Sequence, residues 1–155
     1  MLLIIDMKEK IKEPDEQSGY LLTQVTFLKQ RIVNAALKEL NITYIQFIIL
    51  AGTFELGTEG GMVTQQDIST KRRLDKAMVS NVVKTLIEKG LMLKNTHPVD
   101  KRAYTLSLTT AGIEKAKKGK EIALKIDESF FSEIDKEKFR ESLMILLKND
   151  SNSHE

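Results

Sequence analysis

The sequence predicts a mainly α-helical fold that carries one small β-hairpin, and three observations predict it. Apolar residues recur at helical spacing through most of the 155 residues. Between Leu91 and Leu108 the pattern switches to the alternation of a two-stranded ribbon. Basic charge is also uneven. Residues 71–102 carry nine Lys and Arg against three Asp and Glu, whereas residues 1–70 carry six against nine and residues 103–155 nine against ten. The formal net charge of +2 therefore hides a local positive patch, the electrostatic footprint of a phosphate-rich partner.

Length and composition bound the remaining possibilities. A chain of 155 residues, 41% hydrophobic and 30% charged, suffices for one domain with a real core. There is no cysteine, which excludes disulfides, thiolate metal sites, cysteine nucleophiles and cysteine redox sensing. With only His97 and His154, a metal site is not expected. No glycine-rich phosphate loop and no paired catalytic groups stand out, so an enzyme is not expected and no cofactor is implied. The Met1–Ile5 apolar run is too short for a signal peptide, and no run of about eighteen apolar residues suggests a membrane span. A cytoplasmic protein is the expectation.

Residues 1–18 read as a charged arm containing Pro14, with an apolar start suited to packing on a partner. The first helix is expected over about Gly19 to Leu40, with a stripe from Leu21 to Leu40 long enough to need a second surface. The second helix opens at Thr43. Gln46 lies three residues on, as in a capping box, and Ile42 and Phe47 take the staple positions. It fades near Leu56, before a glycine-rich loop. A short third helix starts at Thr64, with Asp67 in a weaker version of the same box, and ends near Arg73. Leu74 plugs the turn, and Asp75 caps a fourth helix over about 75–89.

The fourth helix has two unlike faces. Val79, Val82, Val83 and Leu86 form the buried stripe. Lys76, Ala77, Ser80, Asn81, Lys84 and Thr85 form a face of small, hydrogen-bonding and basic residues without an acid, which suits an anionic groove. Gly90 stops it. The ribbon has Leu91–Lys94 as one strand, a His97–Arg102 tip, and a return strand with Tyr104, Leu106 and Leu108 on one side. Thr109 caps a fifth helix over about 110–133, where Gly119 is a local weakness. Asp135 caps a sixth over about 136–148, and 149–155 is a polar tail.

A helix-turn-helix followed by a basic hairpin is the pattern of a winged-helix DNA reader. On three stretches the chain resembles the MarR (multiple antibiotic resistance regulator) family, over about residues 19–148. They are Asn41–Leu50, Asp75 to Leu91, and the wing signature of Asp100-Lys101-Arg102 followed by Leu108-Thr109-Thr110-Ala111-Gly112. The resemblance implies a homodimer. Residues 19–40 and 110–148 would form a helical dimerisation base, and 42–109 a winged helix-turn-helix lobe, all within one domain of 1–155. It further implies a repressor, bound to a pseudo-palindromic operator and released by a small aromatic or anionic effector held between base and lobe. Phe27, Tyr44 and Phe47 are aromatics that either line such a pocket or belong to the core; no ligand residue is carried over. The absence of cysteine sets aside the oxidant-sensing branch.

Roles follow from side-chain chemistry. Lys71, Arg72, Arg73 and Lys94 are candidates for phosphate contacts, and Thr64, Gln65 and Gln66 offer amides at a helix start. Asn81 pairs naturally with adenine, Lys76 or Lys84 with guanine, and Ala77 or Thr85 with a thymine methyl, with Ser80 on the same face. Lys101 and Arg102 form the basic wing tip. Asp100 is expected to hold the Arg102 side chain by a charge-assisted hydrogen bond. His97, at the tip, is a turn residue that a proton would convert into a further cation. The rival reading is a winged helix that binds protein instead of DNA, against which stands the acid-free helix face.

Overall fold

The computed structural model describes residues 17–151, in which six α-helices and one hairpin follow the expected order. They are α1 (Ser18–Leu37), extended by a 3₁₀ turn (Lys38–Leu40), α2 (Tyr44–Thr58), α3 (Gln65–Arg72), α4 (Lys76–Glu88), β1 (Met92–Thr96), β2 (Tyr104–Leu108), α5 (Thr110–Phe130) and α6 (Lys136–Ser151). The arm over 1–16 and the tail beyond 151 lie outside the described residues. Residues 149–151, expected in the tail, are the last turn of α6.

The capping signals translate directly into helix starts. Thr43 Oγ1 accepts the Gln46 amide at 3.2 Å, and Gln46 Oε1 accepts the Thr43 amide at 3.0 Å. Thr64 and Asp67 form the same reciprocal pair, a full box and not the weaker one the sequence suggested. Thr109 and Asp75 cap α5 and α4. Other boundaries move as well: α2 runs to Thr58, β1 runs to Thr96, and α5 ends at Phe130, so Ile134 lies in the turn before α6.

One core joins the C-terminal half of α1 (Val33, Leu37) to α2, α3, α4, the hairpin and Ala116 of α5. The hairpin is antiparallel, with Met92 opposite Leu108 and Thr96 opposite Tyr104, and Val63 pairs with Leu106 on the other edge of β2. Gly119 corrects the sequence expectation. It is buried, and a Cβ there would come within 2.6 Å of the Phe47 ring, so it is the close approach of α5 to α2 and not a weak point.

Outside that core, apolar residues face solvent along two helices. On α1, Leu21, Leu22, Val25 and Phe27 are exposed, and on α6 Met144 to Leu147 are exposed, Leu146 at 56%. A contiguous apolar surface of this kind on a water-facing helix is a sign of an interface.

Candidate nucleic-acid interface

The turn between α3 and α4 fixes how α4 is presented. Arg73 takes a left-handed backbone (φ 51°), and its amide donates to the Ser69 and Thr70 carbonyls. Ser69, which sequence reasoning passed over, bonds Leu74 in both directions. Its Oγ donates to the Leu74 carbonyl at 2.6 Å, and its carbonyl accepts the Leu74 amide at 3.0 Å. Leu74 is half-buried against the core, as a plug should be. Asp75 Oδ1 then accepts the Met78 amide at 3.1 Å, so the one carboxylate at the start of α4 is turned onto the helix end.

This places Val79, Val83 and Leu86 in the core, with Val82 half-buried beside them. Lys76, Ala77, Ser80, Asn81 and Lys84 are exposed together, with Thr85 half-buried at their edge and its hydroxyl donating to the Asn81 carbonyl. Met78, exposed on the same first turn, was not anticipated, because an apolar residue beside a stripe reads as core. Among the described residues, Lys76, Lys84, Lys101 and Arg102 form no ion pair with a carboxylate. The positive charge of the α4 face and the wing tip is therefore not neutralised by these ion pairs.

Several residues take other roles than the sequence suggested. Arg72 is not turned outward: its Nη2 meets Glu55 Oε2 at 3.0 Å, and its chain lies against Gly52, where a Cβ would stand 2.9 Å from Nε. It clamps α3 to α2. Lys71 pairs with Glu59 at 3.2 Å, and Arg73 pairs through Nε with Asp150 of α6 at 3.1 Å. The carboxylates responsible are distant in sequence, so local pattern could not reveal them. At the start of α3, Asp67 already accepts the Thr64 amide at 2.8 Å, and Thr64 Oγ1 takes the Asp67 amide. A carboxylate thus occupies the place expected for a phosphate, with Gln65 and Gln66 beside it. Gln66 is tied to Thr70 Oγ1.

The wing is built by backbone bonds. Asp100 Oδ1 accepts the Arg102 backbone amide at 3.0 Å, so the aspartate shapes the turn that carries Arg102 and does not grip its guanidinium. His97 Nδ1 accepts the amides of Val99 and Asp100 at 3.1 and 3.0 Å. The ring nitrogen thus acts as an acceptor that shapes the tip turn. Lys94 lies with Nζ 3.7 Å from the Tyr104 ring centroid. Tyr104 is on the expected face of β2 but 48% exposed, with the lysine over its ring.

The wing signature has a physical basis in how the hairpin returns to the recognition helix. Thr109 Oγ1 donates to the Gly90 carbonyl at 2.8 Å and accepts the Gly112 amide at 3.0 Å. The Thr109 amide donates to the Leu91 carbonyl at 3.2 Å. Gly112 must be glycine, because a Cβ would stand 2.0 Å from the Leu91 carbonyl oxygen. The Leu-Thr-x-x-Gly run thus docks the start of α5 on the turn that ends α4.

Of the three aromatics weighed as pocket residues, Phe47 is core against Gly119, and Tyr44 stacks on it at 6.4 Å. The Tyr44 hydroxyl accepts from Lys29 Nζ at 3.3 Å, and Lys29 also pairs with Asp127 of α5 at 3.0 Å. Phe27 stands exposed on α1. Among the described residues, no single helix is long and apolar enough to cross a membrane.

The family model described as the MarR family matches residues 42–104. The chain is 37% identical over 147 residues to YdcH of Bacillus subtilis (strain 168), described as an uncharacterized HTH-type transcriptional regulator, covering 94% of this chain and all of that one. Among solved structures it is similar to Staphylococcus aureus MepR in complex with DNA, with a TM-score of 0.76, 21% identity, and 92% of this chain and 100% of that one covered. It is also similar to Rhodococcus jostii CouR bound to p-coumaroyl-CoA, with a TM-score of 0.75, 20% identity, and 88% and 93% covered. Bordetella bronchiseptica BpsR, whose DNA binding is regulated by 6-hydroxynicotinic acid, matches with a TM-score of 0.76, 23% identity, and 91% and 97% covered. These similarities to structures concern the fold, and the sequence matches carry the family. With the helix-turn-helix, the wing and its docking signature in place, the chain belongs to the MarR family of winged-helix, DNA-binding transcriptional regulators.

Proposed function

We propose that the chain is a homodimeric repressor that acts in the cytoplasm, binds a pseudo-palindromic operator and is released by a small-molecule effector. The observation that carries the reading is the exposed, acid-free face of α4, next to a wing whose Lys101 and Arg102 have no carboxylate partner among the described residues. Lys76, Ala77, Ser80, Asn81, Lys84 and Thr85 read base edges in the major groove, Arg102 and Lys101 engage the neighbouring backbone or minor groove, and Asp100 shapes the tip. Gln65, Gln66 and Lys94 add backbone contacts, while Arg72 serves the fold. Within the single domain, 42–109 addresses DNA, and 19–40 with 110–148 join the two copies. The exposed apolar faces of α1 and α6 support this division.

Selection of bound duplexes from a random DNA library by the purified full chain tests the reading. The expected result is an inverted repeat whose half-sites lie about one helical turn, 10–10.5 base pairs, apart. Bulk binding without an enriched sequence would overturn the operator reading, and no DNA binding would favour a protein-docking module.

A further inference from the structure

Among the cations of the α4 face and the wing, one is seated before any partner arrives. Lys94 holds its Nζ 3.7 Å from the centroid of the Tyr104 ring. Among the described residues, Lys76, Lys84, Lys101 and Arg102 rest on no aromatic ring. Lys94 also forms no ion pair with a carboxylate among the described residues. Its charge is placed by a ring that does not neutralise it, and so stays available to an anion.

The register of the ribbon makes the seat. Lys94 stands opposite Leu106, and Tyr104 is two residues nearer the tip on β2. The two side chains therefore share one face as diagonal neighbours, within reach of each other. On that same face Met92 and Leu106 join the core to which α4 contributes Val79 and Val83. The seated ammonium thus lies on the helix-turn-helix side of the ribbon, toward its tip. Tyr104 stays half in water, so core packing alone does not call for an aromatic there. A lysine side chain in water samples many rotamers and loses them when it meets a phosphate. A ring beneath the ammonium removes part of that freedom in advance, and leaves the N–H donors directed away from the ring open to an oxygen.

We propose that Tyr104 is a positioning residue for DNA binding, whose ring holds the Lys94 ammonium ready for a backbone phosphate beside the groove that α4 enters. The proposal rests on the operator reading above, and it concerns how tightly the backbone is held, not which bases are chosen.

The test takes the full chain, the duplex selected from the library, and the variants Tyr104→Phe, Tyr104→Leu, Lys94→Met and Lys94→Met/Tyr104→Leu. In gel-shift titrations Tyr104→Leu should bind about threefold or more weakly, and Tyr104→Phe within about twofold of wild type, because a phenyl face also attracts a cation. Lys94→Met should bind about tenfold more weakly, with a salt dependence shallower by about one counterion per bound chain. With Lys94 already replaced, Tyr104→Leu should cost nothing further. A readout without DNA is the Lys94 ε-methylene proton resonance. The ring current should move it upfield in wild type and Tyr104→Phe, and Tyr104→Leu should return it to the ordinary lysine position; the same spectra show that each variant is folded. An equal loss from Tyr104→Phe and Tyr104→Leu, or a Tyr104→Leu loss that persists without Lys94, overturns the positioning role. An unshifted Lys94 resonance overturns the seat, and an unchanged salt dependence in Lys94→Met overturns the phosphate contact. A wild type that selects no duplex fails the operator reading and this proposal together. A wild type that binds its operator while Tyr104→Leu binds it equally well overturns this proposal alone.

Discussion

Gly112 is the residue whose identity the structure constrains most. Its place in the wing signature is set by the Leu91 carbonyl, which leaves no room for a side chain. Gly112→Ala should cost on the order of 3 kcal/mol in urea unfolding, since the obstacle is backbone and cannot rotate away. Arg102 is the opposite case, exposed and without a carboxylate partner among the described residues. Arg102→Ala should leave the unfolding midpoint unchanged and weaken the selected operator by about tenfold, the loss of one charged contact of about 1.4 kcal/mol. Unchanged binding in a gel-shift titration would remove the wing from the interface. The basic residues around the turn show why residue type alone misleads. Arg72 and Arg102 look alike in sequence, yet Glu55, 17 residues before Arg72, turns the first one inward.

At the scale of elements, the local signals were legible because they act over three or four residues. The Thr43/Gln46 pair, the Thr64/Asp67 pair, Asp75, Thr109 and Asp135 all cap where spacing placed them. Asp75 matters beyond stability, since it orients the first turn of α4 and turns a carboxylate away from the proposed DNA face. Asp75→Ala should lower stability by about 1 kcal/mol, and Asp75→Asn should retain most of it, because an asparagine oxygen also caps. A chemical-denaturation series over the three proteins checks this. Helix ends were less legible: α2 continues through Gly57 to Thr58, since a single glycine weakens a helix without stopping it.

At the scale of the whole molecule, the described chain is unfinished on its own. Val33 and Leu37 anchor α1 to the shared core, but its N-terminal half and the apolar residues of α6 face water. Leu146→Glu should shift a dimer toward monomer in sedimentation velocity and weaken operator binding, because two linked half-site contacts become one. A Leu146→Glu protein that still sediments as a dimer would exclude this face of α6 from the interface. Lys29 ties α1 to α5 and α2. Burial lowers its pKa, but Asp127 and Tyr44 outweigh that, and the ammonium is held above its ordinary value. A raised folded pKa gives a contribution complete below the ordinary lysine value and lost as pH rises through the folded one. The stability gap between wild type and Lys29→Met should therefore stay constant near neutral pH and shrink only in strong alkali. A gap that already closes near neutrality would show that the ion pair is not its source.

The order of the elements, their caps, the apolar and acid-free faces of α4, and the wing signature were all readable from residue spacing, because they rest on interactions within one turn or one ribbon. Which basic residues stay outward, why Gly112 and Gly119 are glycine, and that Asp100 bonds backbone instead of guanidinium emerged from packing alone. Each of those depends on a partner brought close by packing from a distant part of the chain: Glu55 for Arg72, Phe47 for Gly119, the Leu91 carbonyl for Gly112. Periodicity reports which face of a helix is buried, and says nothing of what it is buried against.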